Sequence, residues 1–203
     1  MSIFEYNGGA IVAMKGKNCI AIACDRRLGV QLQTISTNFQ KVFKMQDNLL
    51  LGLTGLGSDI QTFHALMEYK LNLYTLKENR EMKPQTFANL IATSLYEKRF
   101  GPYFVTPIVA GLQNGTPVLA TYDSIGCISD SDPFQVGGTA SDSLLGAAET
   151  LYKKDMEAEE LVECCAQTLL AGMDRDILSG WGGVAYLLTE EGIKIKTLKT
   201  KQT

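Results

Sequence analysis

Residues 8–25 read Gly-Gly-Ala-Ile-Val-Ala-Met-Lys-Gly-Lys-Asn-Cys-Ile-Ala-Ile-Ala-Cys-Asp, and this stretch decides the fold. Two short apolar runs, Ala10–Met14 and Cys19–Ala23, flank a turn made of Lys15, Gly16, Lys17 and Asn18. Short apolar runs separated by a turn of Gly, Asn and Lys predict an antiparallel hairpin. No polar residue interrupts either run, so both faces of these strands are expected to be buried. The second run ends at Asp25-Arg26-Arg27, and Lys41 follows after a mixed polar stretch.

Downstream, Lys41–Met45 and Leu49–Leu53 read as two strands joined by Gln46-Asp47-Asn48. Leu53-Thr54-Gly55-Leu56-Gly57 breaks the second of them, and Ser58 or Asp59 is placed to cap a helix. Ile60, Phe63, Met67, Leu71 and Tyr74 then recur at helical intervals. Pro84 starts a second amphipathic helix, marked by Phe87, Leu90, Ile91 and Leu95 and ending near Phe100-Gly101-Pro102. Thr106–Leu112 and Pro117–Tyr122 surround Asn114-Gly115, a strong signal for a two-residue hairpin turn. A short strand at Phe134–Val136 leads through Gly137-Gly138-Thr139 into helices from Ser141 to Tyr152 and from Glu157 to Met173. Two strands, Gly183–Leu188 and Ile193–Leu198, close the chain around Glu190-Glu191-Gly192. The order of strands, helices, strands, helices, strands predicts an α+β fold whose sheets are covered on both faces.

The chain has 203 residues, with no internal repeat or low-complexity linker, which reads as one domain over 1–203. The net charge of -3 and the lack of a Lys/Arg cluster argue against nucleic-acid binding. No apolar run approaches membrane-spanning length, and the first residues, Met1-Ser2-Ile3-Phe4-Glu5-Tyr6, do not read as a secretion signal. The five cysteines (Cys19, Cys24, Cys127, Cys164 and Cys165) form no Cys-x-x-Cys pair, and the single histidine, His64, sits in helical sequence. Neither a zinc site nor a Cys–His nucleophile pair is indicated, and a reducing compartment fits. Cys19 and Cys24 read as small core residues.

Several fragments then fall in a telling order: Asn7-Gly8-Gly9-Ala10, Lys15-Gly16-Lys17-Asn18-Cys19, Asp25-Arg26-Arg27, Leu71-Asn72-Leu73-Tyr74, and Leu95-Tyr96-Glu97-Lys98-Arg99-Phe100-Gly101-Pro102-Tyr103. With Lys41, Gly55, Asp59, Asp176 and Ser179, and with the loop Asp174-Arg175-Asp176-Ile177-Leu178-Ser179-Gly180, this pattern resembles the N-terminal threonine hydrolases. Specifically, it is similar to the beta-type subunits of the proteasome, and within them to the third, non-catalytic type. The resemblance covers nearly the whole chain and implies a four-layer αββα sandwich. In active members the first strand begins with a threonine, whose hydroxyl attacks while its own free amine acts as base. Gly9 stands at that position here, and its neighbours Gly8 and Ala10 offer no nucleophile either. The alternative, an active amidohydrolase using Ser2, needs a nucleophile from seven residues upstream, up to roughly 23 Å of extended chain.

The resemblance implies a vestigial frame of Gly9, Asp25, Lys41, Asp176 and Ser179. Two further departures fit an inactive member: Gly137 stands where active members place a supporting serine, and Trp181 where they usually have glycine. Asp25 and Lys41 are then expected to persist as a structural ion pair. The resemblance also places Asp123 and Cys127 at the wall of the substrate pocket of an adjacent trypsin-like subunit. A carboxylate beside a channel for basic peptides is electrostatically sensible, although an aspartate at a strand end also starts turns. It further implies that the main-chain carbonyls of Met173, Asp176 and Ser179 could hold a structural Mg²⁺, a hard ion suited to oxygen ligands, where a plain helix-to-strand turn is the alternative. No cofactor is required. The function implied is that of a non-catalytic structural beta subunit completing the inner heptameric ring of the ATP- and ubiquitin-dependent degradation machine. Its partners would be beta-2-type and beta-4-type neighbours, the alpha ring and the opposite beta ring, in the cytoplasm and nucleus, with no nucleic acid and no membrane. A stand-alone binding module is the competing class, and native size separates the two.

Overall fold

The alternation of side chains along each strand, apolar on both faces, sets a layered architecture in the computed structural model, which describes residues 2–200. The first hairpin is β1 (Ala10–Lys15) and β2 (Ile20–Asp25), paired antiparallel with Ile11 opposite Cys24 and Ala13 opposite Ile22. A small hairpin follows, β3 (Leu28–Val30) and β4 (Gln33–Ser36), which joins neither large sheet. Then come β5 (Val42–Gln46), β6 (Leu49–Gly55), α1 (Gly57–Glu78) and α2 (Pro84–Tyr96). The second half contains β7 (Val105–Gln113), β8 (Thr116–Tyr122), β9 (Ile128–Ser129), β10 (Phe134–Gly138), α3 (Ser141–Leu151), α4 (Ala158–Met173), β11 (Gly183–Thr189) and β12 (Gly192–Leu198).

Two five-stranded antiparallel sheets result, with orders β10-β1-β2-β11-β12 and β5-β6-β7-β8-β9. Ile11, Ala13, Ile20 and Ile22 of the first sheet meet Leu50, Ile108, Ala110 and Leu119 of the second, forming the seam between them. The alternate residues Ala10, Val12 and Met14 turn the other way, onto Leu144 of α3 and Leu161, Cys165 and Leu169 of α4. On the far side Leu49, Leu51 and Leu53 pack against Ile60, Phe63 and Met67 of α1 and Phe87, Ile91 and Leu95 of α2. The layers therefore run helix, sheet, sheet, helix: an αββα sandwich. The sheets pack tightly where β6 carries Gly52, since a Cβ there would lie 2.9 Å from Ile22 Cδ1. Among the described residues no helix is long and apolar enough to cross a membrane.

Strand positions follow the apolar runs, and Asn114 and Gly115 take φ of 53° and 76°, the two positive values that a tight hairpin turn requires. Three features depart from the sequence reading. Ser58 and Asp59 do not cap α1, which begins at Gly57 without a side-chain cap from its own N-terminal residue. Asn7 supplies the bond instead, its Oδ1 accepting from Gly57 N at 2.7 Å, while the Asp59 carboxylate accepts from Phe104 N at 2.8 Å. The second helix stops at Tyr96, because the chain tightens into three-residue turns: Lys98 N donates to Leu95 O and Arg99 N to Tyr96 O. The β3–β4 hairpin hides in the mixed polar stretch, since β3 is only three residues long and Leu32 at its tip is 67% exposed. His64 lies on α1 stacked against Phe43, with ring centroids 3.9 Å apart.

Candidate functional site

Asp25 ends β2 and Lys41 immediately precedes β5, so the two sheets bring them together at one end of the seam. Lys41 Nζ lies 2.5 Å from Asp25 Oδ1, and neither residue is more than 1% exposed. Burying two charges costs several kcal/mol per ion unless each is fully hydrogen-bonded. Here the carboxylate also accepts from Ala10 N at 2.9 Å, Arg27 N at 3.3 Å and Gly180 N at 3.1 Å. Lys41 donates a second bond to Arg27 O at 2.7 Å. Next to the pair, the Cys24 thiol is pushed up to about 12, chiefly by burial and then by the Asp25 charge, so it stays protonated and is not a nucleophile.

Gly9 stands directly before β1, and a Cβ built on it would lie 3.0 Å from Lys41 Nζ. A side chain at this position would thus face the lysine amine, which is the geometry a nucleophile would need. Glycine puts nothing there. With residues 2–8 attached, the Gly9 nitrogen is a peptide amide, and it donates to Thr139 Oγ1 at 3.3 Å rather than acting as a base. Ser2 is engaged elsewhere, capping the short turn Ile3–Glu5 in a reciprocal pair with Glu5. Gly8 has φ +72°, and a Cβ on it would sit 2.1 Å from Leu178 O, so only glycine lets the two backbones meet.

The loop after α4 completes the frame. The Thr139 hydroxyl donates to Asp176 Oδ2 at 2.6 Å, and Asp176 Oδ1 accepts from Leu178 N at 3.1 Å, so Asp176 reaches Gly9 through Thr139. Ser179 is 7% exposed, yet its Oγ has no hydrogen-bond partner among the described residues. Met173, Asp176, Ser179 and Gly180 line a cavity of about 630 Å³. Trp181 adopts φ +55° between Gly180 and Gly182, a left-handed conformation that costs a non-glycine residue roughly 1–2 kcal/mol. A Cβ on Gly137 would point between the sheets, 3.4 Å from Thr54 Oγ1.

Sequence reasoning left Asn7, Arg27 and Thr139 without roles. Arg27 is 1% exposed, and its guanidinium donates to Thr34 Oγ1, Leu178 O and Gln31 O at 2.9, 2.9 and 3.0 Å. It ties the small hairpin to the loop after α4. The fragments Asn7-Gly8-Gly9 and Asp25-Arg26-Arg27 already flagged two of these residues, but their partners lie far away in the chain.

Asp123 and Cys127 lie apart from this frame, in the exposed turn between β8 and β9. Asp123 Oδ1 accepts from Ile125 N at 3.0 Å and from Cys127 N at 2.8 Å, so the carboxylate of this exposed residue organises its own turn. Cys127 is exposed and unbridged, beside a groove shared with Ala92, Thr93 and Tyr96 of α2.

Residues 5–188 match the family model described as proteasome subunit. The chain is 56% identical over 200 residues to proteasome subunit beta type-3-A of Arabidopsis thaliana, covering 98% of each. It is 51% identical over 203 residues to the probable proteasome subunit beta type-3 of Schizosaccharomyces pombe, covering 100% of each. With proteasome subunit beta type-3 of Saccharomyces cerevisiae it shares 49% over 198 residues, 97% of this chain and 96% of the relative. A sandwich with its ion pair beneath the first strand, matched along almost its full length, leads to one conclusion: the chain belongs to the proteasome subunit family.

Proposed function

We propose that this chain is a non-catalytic, structural beta subunit of the proteasome core, completing an inner ring of the ATP- and ubiquitin-dependent degradation machine without peptidase activity of its own. The observation that carries this reading is Gly9, which puts no side chain against the Lys41 amine of the Asp25–Lys41 pair. The full-length similarity to relatives named beta type-3 supports it. Large apolar side chains stand exposed on the helical layers, including Tyr69 and Leu76 on α1, Tyr96 at the end of α2 and Leu145 on α3, as expected of a chain buried in an assembly. Its partners are beta-2-type and beta-4-type neighbours, the alpha ring and the opposite beta ring, and it works in the cytoplasm and nucleus. Five free cysteines suit that reducing setting.

Two finer roles belong to the same reading. Asp123 and Cys127 form part of the wall of the neighbouring trypsin-like pocket, where the exposed Asp123 carboxylate attracts basic peptides. A structural Mg²⁺ is held by the main-chain carbonyls of Met173, Asp176 and Ser179. The donor set fits a hard cation: the Met173 carbonyl, which accepts from Asp176 N, keeps a second lone pair, and the partnerless Ser179 hydroxyl borders the same cavity. Such an ion would stiffen the loop that carries Asp176 beneath Gly9.

Fractionating a native extract while tracking this chain tests the assembly. Co-migration with a particle on the order of several hundred kilodaltons containing other subunits of similar length is expected; recovery only at the mass of one chain would refute it. In the assembled particle, Asp123→Asn keeps acceptors for the turn but removes the charge. It should lower kcat/KM for basic substrates about fivefold, the effect of one weakly screened charge pair, and leave other cleavages unchanged. Equal kinetics on basic substrates would remove Asp123 from the pocket wall. Chelation with EDTA should lower the particle's melting temperature and added Mg²⁺ restore it, whereas an unchanged melting temperature would count against the ion.

A further inference from the structure

The chain contains two Asn-Gly pairs, Asn7-Gly8 and Asn114-Gly115. In such a pair the asparagine side chain is open to attack by the next backbone nitrogen, because glycine has no Cβ to hinder the approach. The fold treats the two pairs in opposite ways. Asn7 is 9% exposed and its carboxamide is held at both ends, Nδ2 donating to Gly29 O at 2.8 Å and Oδ1 accepting from Gly57 N at 2.7 Å. Gly8 is pressed against Leu178 O, so the peptide that follows Asn7 cannot turn either. Asn114 is exposed at the tip of the β7–β8 hairpin, and Gly115 N donates to no backbone carbonyl among the described residues. Only Gln113 opposite Thr116, the last pair of the ladder, closes this turn, and a ladder end opens at the least cost. The β11–β12 turn lies against it. A Cβ on Gly115 would sit 2.8 Å from Glu190 Oε1, and Asp47, Asn114, Glu190 and Glu191 border one cavity of about 570 Å³. Of the carboxylates there, Asp47 is paired with Lys44 at 2.7 Å and Glu191 with Lys194 at 3.5 Å, whereas Glu190 makes no ion pair among the described residues.

We propose that Asn114 is a site of deamidation by water, and that its product loosens the contact between the β7–β8 and β11–β12 turns. Asn114 and Gly115 hold φ of 53° and 76°, so the peptide between them must first rotate out of the left-handed turn. Gly115 N then attacks Asn114 Cγ. The N–Cγ bond forms, the Cγ–Nδ2 bond breaks, and ammonia leaves with the Gly115 amide proton. Water adds to one of the two carbonyls of the resulting five-membered imide and opens it. Opening at the side-chain carbonyl gives aspartate. Opening at the main-chain carbonyl gives isoaspartate, whose chain to Gly115 is one carbon longer. Either product sets a new carboxylate beside Glu190, where no free cation offsets the repulsion. Isoaspartate also departs from the backbone geometry that a two-residue hairpin turn requires. The site lies outside the Asp25–Lys41 frame, and the reaction is independent of ring assembly.

Peptide mass mapping of the unaltered chain, held in its native form at physiological temperature and neutral pH, tests the reaction. Asn114 should convert at least about tenfold faster than Asn7, yielding peptides with aspartate and with isoaspartate at that position. In urea the two pairs should convert at rates within about threefold of each other, because the difference belongs to the fold. An Asn114 that stays intact, or that converts no faster than Asn7 in the folded chain, overturns the proposal. The same preference persisting in urea would assign it to local sequence and overturn the structural account. Asn114→Asp supplies the product's charge at a positive φ that aspartate tolerates. This variant should melt below the parent, and Asn114→Asp/Glu190→Gln should recover the loss. An Asn114→Asp chain that melts with the parent would refute the loosening.

Discussion

The buried ion pair between Asp25 and Lys41 is the constraint on which the rest of this end of the molecule depends. Two charges without solvent are tolerated only because each is surrounded by fixed hydrogen-bond partners. Those partners come from the start of β1, the residues after β2 and the loop after α4, through Ala10, Arg27 and Gly180. Satisfying one carboxylate and one ammonium therefore fixes where three separate segments must lie. The pair acts as a staple between the two sheets where the seam of Ile11, Ile22 and Leu50 runs out.

Around that staple several further contacts converge. Gly9 faces the amine, Thr139 bridges to Asp176, and Arg27 clamps the small hairpin to Leu178. Each contact stabilises a backbone position, and none requires a reaction. The frame is maintained because it holds loops, since removing either charge would strand the other in a dry interior. The N-terminal segment packs into the same region, with Gly8 pressed onto the Leu178 carbonyl and the Asn7 side chain bonded to Gly29 and Gly57.

Much of this was legible in the sequence where the signal is local. Apolar runs such as Ala10–Met14 announce strands buried on two faces, and Asn114-Gly115 announces its turn, whereas the grouping of Gly9, Asp25 and Lys41 comes only from the family resemblance. The misses share a cause: the decisive bond is long-range. The cap of α1 comes from Asn7, fifty residues upstream, and Asp59, which reads as a cap, is drawn to Phe104. Arg27 has no role in the sequence reading, because its partner at Leu178 lies far away in the chain. The β3–β4 hairpin is too short for alternation to show, and its tip exposes Leu32 instead of burying it. Asp123 shows the opposite limit, because a local turn role and a role toward a neighbour leave the same sequence trace.

The claim that the Asp25–Lys41 frame is structural is tested most directly by a double-mutant cycle in chemical unfolding, using Asp25→Asn, Lys41→Met and the two combined. Each single change should cost about 3–5 kcal/mol, because it leaves an uncompensated partner in the interior. The combined variant should cost little more than either alone, giving a coupling energy of about 2 kcal/mol or more. Strictly additive losses, or single variants as stable as the parent, would contradict the account and leave the pair without the structural role argued for it.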